Sequence, residues 1–297
     1  MNESLDQEND QEVDVFSAVR APGQAGPVLP VKLGPGDRFA FSCHQGVACW
    51  NRCCHGADVT LTPYDILRLC RRLDLRSNAF LKAYTVPAMW EPAGLPVAKL
   101  KMAGDDGAGA CAFLEEAGCS VYDDRPATCR YYPLGLARIK PKGATDKENF
   151  HFLVKEPFCE GHHEDKVQSV SAFREEQVVS TYDRINRGWM DILMKMASWR
   201  SLGGPQGKEL SAQVKQMFFL VSTDVDGLRE FFFGTKFFAT YDVDAAAVES
   251  VREDDEALLE LGFDWMKNVM FNEPTIALKE GILREAAARA RGDMGGL

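Results

Sequence analysis

The stretch FSCHQGVACWNRCCHG, residues 41–56, holds four cysteines, at positions 43, 49, 53 and 54. The stretch CAFLEEAGCSVYDDRPATCRYYP, residues 111–133, holds cysteines at positions 111, 119 and 129, and PFCEGHH, residues 157–163, holds one at position 159. Thiols stay reduced in a reducing compartment, so such crowding indicates metal or redox chemistry rather than a disulfide framework. We therefore predict eight metal ligands: Cys43, Cys49, Cys53, Cys54, Cys111, Cys119, Cys129 and Cys159.

Eight thiols divide into two sets of four, enough for two tetrahedral sulfur sites or for one iron-sulfur cluster and another metal. The predicted cofactor is zinc or iron, with a 4Fe-4S cluster among the options. Adjacent Cys53 and Cys54 reach one mononuclear site only with strain, so one of them is expected to turn toward a second metal or not to bind. The wide gaps of the second stretch do not fit the two-residue spacing of a zinc ribbon.

Bound thiolates need nearby positive charge, and three arginines stand beside cysteines in the sequence. We predict that Arg52, Arg125 and Arg130 lie at the cofactor site and stabilise the bound thiolates. The alternative is that they pair with Asp123 and Asp124.

Four of the five histidines lie within four residues of a cysteine: His44, His55, His162 and His163. Each is a candidate ligand, and the spacing Cys159-x2-His162 is one that metal sites use. Adjacent histidines such as His162 and His163 are more often solvent-facing.

One helix is predicted inside the Cys-rich region. Thr62 can cap it, Pro63 suits its first position and Asp65 favours the positive end of the helix dipole. Cys70 then falls on the apolar face, so we predict a core residue there. Ser77 is expected to cap a second helix. Short strands are predicted over three ranges: 97–102, 130–140 and 149–155.

The chain from about residue 171 is predicted to be helical. Apolar side chains recur by 4, 3, 4, 3, 4 and 3, which predicts one helix with its stripe packed in the core. The stripe consists of Val178, Tyr182, Ile185, Trp189, Ile192, Met196 and Trp199. Gly203-Gly204-Pro205 is expected to end this helix. Further helices are predicted over 208–221, 224–234, 244–270 and from Pro274 through Arg291.

The predicted fold class is α+β: an irregular Cys-rich metal-binding module with short strands and helices, followed by an all-helical C-terminal part. The predicted domains are a disordered acidic tail over residues 1–30, a Cys-cluster zinc- or iron-chelating domain over 31–165 and a helical domain over 166–297.

Charge and composition exclude several classes of protein. The formal net charge is -10, which disfavours nucleic acid and anionic membranes as partners. No apolar run approaches the ~18 residues that a membrane span needs. The start MNESLDQENDQEVD has six acids and no base, unlike a signal peptide. We expect a cytoplasmic protein that binds metal ions, neither nucleic acid nor membrane, with the helical part available to a protein partner.

The motif order resembles that of a known family. The Cys-Cys doublet after two spaced cysteines, LTPYDILRLCRRL at 61–73, Cys-x-Phe-Leu at 111–114 and GCSVYDDRPATCRYYP at 118–133 resemble the bacterial YkgJ-like cysteine-cluster family of zinc- or iron-chelating domains, whose motif is written CxxCxxCC. The resemblance covers about residues 38–162 and matches the same eight cysteines. The first gap is five residues instead of two, which weakens the match at Cys43.

The resemblance implies metal binding, and it leaves the reaction open. The first hypothesis is a zinc, iron or iron-sulfur protein whose helical half is a scaffold; a structural zinc adaptor is one alternative. The family also includes flagellin lysine N-methylases, which implies S-adenosylmethionine-dependent methyl transfer as another. Against that alternative, Leu33-Gly34-Pro35-Gly36 is more typical of a turn than of a nucleotide-binding loop. Thiol redox catalysis at Cys53-Cys54 lacks the C-x-x-C motif.

Overall fold

The computed structural model describes residues 28–139, 148–202, 210–282 and 284, which belong to two compact units. The first unit contains the chain up to Ser42 together with Tyr132–Ser171, and the second contains Cys43–Tyr131 and the chain from Ala172 onward. Compact units and sequence domains are different divisions of a chain, so the domain boundaries at 30 and 165 stay predictions. Residues 1–27 of the predicted acidic tail lie outside the described residues.

The first unit is built from short antiparallel strands. The described strands are β1 (Val28–Leu33), β2 (Arg38–Ala40), β7 (Leu134–Ile139), β8 (Glu148–Val154) and β9 (Val167–Ser169), numbered along the whole chain. Strand β8 lies between β1 and β7, and β2 pairs with β9. Residues 34–37 form a turn between β1 and β2, closed by a 2.8 Å hydrogen bond from Gly34 N to Asp37 Oδ2. The turn predicted at residues 33–36 is therefore present and leads into a strand, not a helix.

The N-terminal part of the second unit contains the Cys-rich chain. Its described helices and strands are α1 (Pro63–Leu73), α2 (Ser77–Tyr84), β3 (Thr85–Trp90), β4 (Leu95–Leu100), β5 (Leu114–Glu115), β6 (Gly118–Cys119) and α3 (Ala127–Tyr131). Strand β3 pairs with β4, and β5 pairs with β6.

Helix α1 follows the prediction closely. Thr62 and Asp65 form a capping box, Pro63 opens the helix, and Cys70 is only 5% exposed. The cap predicted at Ser77 is wrong by one residue, because Ser77 already lies inside α2. Its backbone N–H donates instead to the carboxylate of Asp226 at 2.8 Å.

The predicted strands at 97–102 and 149–155 overlap β4 and β8. The strand predicted at 130–140 is wrong at its start, because Arg130 lies in α3. There its N–H closes a helical turn on the Pro126 carbonyl at 3.0 Å, and proline has the backbone angle that a helix start needs.

The C-terminal part of the second unit is mainly helical. Its described helices are α4 (Val170–Glu176), which begins at the end of the first unit, α5 (Val179–Ile185), α6 (Arg187–Ser201), α7 (Ala212–Thr223), α8 (Val225–Gly234), α9 (Phe237–Thr240), α10 (Ala245–Glu253) and α11 (Asp255–Phe271). The two-residue strands β10 (Tyr241–Asp242) and β11 (Ala277–Leu278) form a ribbon. The α+β fold class is confirmed, but the C-terminal part is not all-helical as predicted, because it contains this ribbon.

The predicted long helix after residue 171 is wrong, because the chain breaks twice. Val178 has a left-handed backbone (φ 56°) and is 52% exposed, so it separates α4 from α5 and leaves the apolar stripe. Asn186 separates α5 from α6. The rest of the stripe packs in the core as predicted, from Tyr182 to Met196, with Trp199 partly buried.

Two further helix predictions need correction. The range 244–270 is two helices, because the Asp254 side chain accepts from Glu256 N at 2.8 Å and caps α11. The chain at Pro274 turns and enters β11, so the helix predicted from Pro274 begins only at Glu280; residues 280–282 and 284 are helical. Residues 203–209, 283 and 285–297, on which part of these predictions fall, lie outside the described residues. Across the described ranges, each helix is too short or too polar to traverse a bilayer.

Two buried apolar clusters form the core of the second unit. One lies between the helices of the C-terminal part and includes Phe218, Leu228, Phe232, Leu258, Phe263 and Met266. The other lies under the Cys-rich chain and includes Leu61, Leu69, Phe80, Leu100, Phe113 and Val121. The Cys-rich chain therefore rests on a packed layer formed by α1, α2 and β4.

Candidate metal centre

The first cysteine stretch runs as successive turns that end in a 3-10 turn, Arg52–Cys54. Asn51 enters that turn with a left-handed backbone (φ 65°), which asparagine tolerates better than most residues. The Cys54 carbonyl then accepts a hydrogen bond from Cys111 N at 2.7 Å, and Gly56 N donates to Gly109 O at 2.9 Å. These bonds join the first cysteine stretch to the start of the second.

The hairpin β5–β6 carries Cys119 and lies against the first cysteine stretch. Its residue Gly118 has φ 121°, which L side chains rarely adopt, and it lies against the Trp50 ring, where a Cβ would be 3.0 Å from Trp50 Cζ2. Leu114 pairs with Cys119 across the hairpin. Glycine is therefore required at 118 both by the backbone and by the ring of the first stretch.

Replacing Gly118 by alanine is expected to destabilise the chain by at least about 1 kcal/mol, because the new side chain strains the backbone and displaces Trp50. Gly107→Ala is the matched control, since Gly107 also has a positive φ (69°) but has nothing within 4 Å of the added Cβ. The unfolding temperature and the metal content should both be lower in Gly118→Ala than in Gly107→Ala. Equal losses in the two variants would mean that the contact with Trp50 is unimportant.

Five of the eight predicted ligands influence one another electrostatically. They come from the 3-10 turn, the start of the second stretch, the hairpin and α3, and we call them the five-thiol cluster: Cys53, Cys54, Cys111, Cys119 and Cys129.

The two adjacent thiols of the cluster interact directly. Cys54 donates a hydrogen bond to the Cys53 sulfur, which lowers the pKa of Cys53 to about 7, with a smaller contribution from His55. The same bond, burial, and the charges of Cys53, Cys111 and Cys129 raise the pKa of Cys54. One thiol of the pair is thus poised to ionise near neutral pH while its neighbour holds its proton.

The other thiols ionise less readily. Burial raises the pKa of Cys129 to about 12, and the nearby Asp65 carboxylate and the thiols of Cys111 and Cys119 raise it further. Burial is also the main cause of the raised pKa values of Cys111 and Cys119. A cation among these sulfurs would reverse the trend, because positive charge favours thiolates.

Arg125 supplies positive charge to the cluster. Burial lowers the pKa of Arg125 itself, while the thiols of Cys129 and Cys119 favour its charge. Arg125 in turn lowers the pKa of Cys119 against the larger effect of burial. The guanidinium donates to the Tyr122 carbonyl at 2.5 Å and to the Gln177 side-chain oxygen, and it stacks on the Tyr122 ring with 3.9 Å to the centroid. Its position fits the charge-compensating role predicted from the sequence.

Arg130 is buried and anchors α3. Its guanidinium donates to the backbone carbonyls of Arg125, Gln177 and Asp123, and it lies over the Tyr182 ring at 4.5 Å. Its charge also favours the ionised form of the buried Asp65 carboxylate. Arg130 therefore acts on the cluster by holding the helix that carries Cys129.

Arg52 is exposed at the start of the 3-10 turn that carries Cys53. The carboxylate of Asp124 forms an ion pair with Arg68, and Asp123 offers Arg130 its backbone carbonyl. The pairing of Arg125 and Arg130 with these carboxylates, the alternative considered from the sequence, is not what their hydrogen bonds show.

The other three predicted ligands are Cys43, Cys49 and Cys159. Cys43 is exposed, and Cys49 is half-buried and offers its carbonyl to Arg52 N at 3.0 Å. Cys159 belongs to the first unit, where it lies beside the Tyr132 hydroxyl and, with burial, raises the pKa of that group. Their roles as ligands stay predictions.

The two adjacent histidines, His162 and His163, differ in exposure. His163 is exposed and contacts Glu160 at 3.0 Å, as the solvent-facing interpretation predicted. His162 is half-buried instead, with its Nε2 3.1 Å from the Val154 carbonyl and its ring against Phe41. Its other ring nitrogen, Nδ1, is buried and has no hydrogen-bond partner among the described residues.

The thiols are close enough to influence one another but are not set as finished ligands. Within the described residues, no group of three or more His, Cys, Asp or Glu side chains is already placed to hold a metal ion. Metal binding would therefore require the thiols to turn toward a common centre, which exposed and half-buried cysteines can do.

The sequence interpretation missed one polar network at this site. Asp65 was assigned only to the helix dipole, yet its carboxylate also accepts from Ala127 N at 2.8 Å. The spacing Thr62-x-x-Asp65 could have predicted the capping box. The partner 62 residues away has no local signal.

Residues 42–160 match the family model CxxCxxCC, described as a putative zinc- or iron-chelating domain. This part of the chain thus matches a class of cysteine-rich domains that is described as metal-chelating. The match confirms the resemblance predicted from the order of the motifs. Comparisons with curated proteins and with solved structures find no match.

Proposed function

We propose that the five-thiol cluster is a zinc or iron centre whose metal cross-links the Cys-rich chain of the second unit. The observation that carries the proposal is the convergence of five thiols from four separate segments. Thiolates are the preferred ligands of zinc and of iron-sulfur clusters. Cys43, Cys49 and Cys159 remain candidate further ligands, and the helical part serves as the scaffold.

The residues present fit a bound cation. Burial and mutual repulsion oppose ionisation of the thiols, while Arg125 offers compensating positive charge at Cys119 and Cys129. A divalent ion would supply the missing positive charge and hold the thiols as thiolates. Arg125 would then stabilise the remaining negative charge of the centre.

The number of thiols bears on the type of centre. Five thiols are one more than a tetrahedral zinc ion binds. Either one member of the Cys53–Cys54 pair stays outside the ligand set, or both bind a centre with more than one metal. The hydrogen bond from Cys54 to Cys53 favours the first arrangement, with Cys53 as the ligand and Cys54 as its donor.

Elemental analysis of protein purified without oxygen tests the proposal. With Cys53 alone of the pair as ligand, we expect about one zinc per chain and a colourless sample. A brown sample with iron and sulfide would identify an iron-sulfur centre instead. A reduced, folded chain that holds neither metal and takes up neither zinc nor ferrous iron would overturn the proposal.

A further inference from the structure

Asp65 connects the start of α1 to the start of α3, the short helix that carries Cys129. Its side chain is fully buried, with 0% exposure. Its Oδ2 accepts from Thr62 N and its Oδ1 accepts from Ala127 N, both at 2.8 Å. Ala127 is the first residue of α3, so the carboxylate fixes the backbone two residues before Cys129.

The second of these bonds is not needed to cap α1. The capping box is complete with the bond from Thr62 N to Asp65 and the bond from Asp65 N to Thr62 Oγ1 at 3.2 Å. An exposed carboxylate would serve such a cap, whereas burying one costs free energy unless hydrogen bonds compensate. The buried position therefore has to be explained by the bond to Ala127.

Arg130, which lies within α3, also anchors this helix. Its guanidinium reaches the carbonyls of Arg125, Gln177 and Asp123, so the five-residue helix is fixed by two buried polar groups. A helix this short has little stability of its own. The direction of the Cys129 thiol consequently depends on these anchors.

We propose that Asp65 is a positioning residue of the metal centre: it holds the start of α3 so that the Cys129 thiolate faces the other four thiols. This inference rests on the proposed function. Asp65 acts through the backbone of α3 and is not itself a ligand.

The test is Asp65→Asn, which keeps the shape of the side chain. The two N–H groups face different oxygens of the Asp65 carboxylate, and asparagine keeps only one of these oxygens. Its NH2 group then faces the other N–H, and two donors cannot bond to each other. We expect the affinity for zinc, measured by competition with a chromophoric chelator, to fall about 10- to 100-fold. In cobalt-loaded protein, the thiolate-to-cobalt absorption should weaken as Cys129 is displaced.

Thr62→Ala is the matched control. It removes the Oγ1 atom that accepts from Asp65 N and from Asn186 Nδ2 at 2.9 Å, but it leaves the bond between Asp65 and Ala127. We expect this variant to unfold at lower temperature while its zinc affinity and cobalt spectrum stay those of the unmodified chain.

A second variant removes the same bond from its other partner. Ala127→Pro deletes the donor N–H at the first position of α3, where proline is tolerated. It should lower zinc affinity as Asp65→Asn does, and it tests the proposal even if Asp65→Asn does not fold. If both variants bind zinc as tightly as Thr62→Ala, the inference is wrong while the proposed function stands. If the unmodified chain binds neither zinc nor cobalt, the proposed function itself fails.

Discussion

Replacing Cys129 by serine is expected to remove bound metal and to lower the stability of the chain together. A serine hydroxyl is a poor substitute for a thiolate ligand, and site formation is linked to folding. Loss of a structural metal is among the few changes that cost roughly 4 kcal/mol or more. Elemental analysis and thermal unfolding of protein purified without oxygen measure the two effects.

Cys70→Ser is the matched control, because it replaces a thiol that packs in the apolar cluster under the Cys-rich chain. Cys70 is 5% exposed, and burial raises its pKa to about 12, as expected for a core thiol. A hydroxyl buried there costs on the order of 1–3 kcal/mol. This variant should therefore lose stability but keep its full metal content. If the metal contents of the two variants were exchanged, the ligand assignment would be wrong.

Helix α1 could be predicted in detail because every signal for it is local. The cap at Thr62, the proline at position 63 and the apolar face with Cys70 all lie within one segment. The apolar stripe after residue 171 was predicted with equal regularity, yet it spans two breaks. Asn186 interrupts the helix with a backbone close to helical (φ -80°, ψ -1°), so the spacing of the stripe continues across the interruption.

The sequence predicts which cysteines are candidate ligands, but it does not predict which of them meet at the site. Clustering and the Cys-Cys doublet identify the eight cysteines, and apolar spacing removes Cys70 from them. Which thiols meet depends on long-range pairings, such as Cys54 O with Cys111 N, that no periodicity encodes. Arg125 and Arg130 looked alike in the sequence, but their contacts differ. Arg125 interacts with the charges of Cys119 and Cys129, whereas Arg130 donates to three backbone carbonyls.

Removing the metal with a chelator is expected to unfold the Cys-bearing loops of the second unit while its helical core stays folded. In residues 43–58 only Val47 is buried, and in residues 101–112 only Met102 is buried, so apolar packing contributes little there. Phe218, Leu228 and Phe232, by contrast, are fully buried and lie on helices that carry no cysteine. Loops with so few buried contacts open at low free energy unless another interaction closes them.

Hydrogen exchange read by mass spectrometry, with and without chelator under reducing and anaerobic conditions, locates this effect. Binding at a structural zinc site is worth about 10–16 kcal/mol, which is comparable to the whole stability of a domain, so protection in the loops should fall by orders of magnitude. The amides of Gly56 and Cys111, which bond across the two stretches, should be among those that lose it. Cys129→Ser protein should already exchange like the chelated chain and respond little to chelator. Equal protection of residues 43–58 and 101–112 in the metal-bound and metal-free chains would show that hydrogen bonds and packing alone hold these loops, since a cross-link that is removed without consequence is not what maintains the structure.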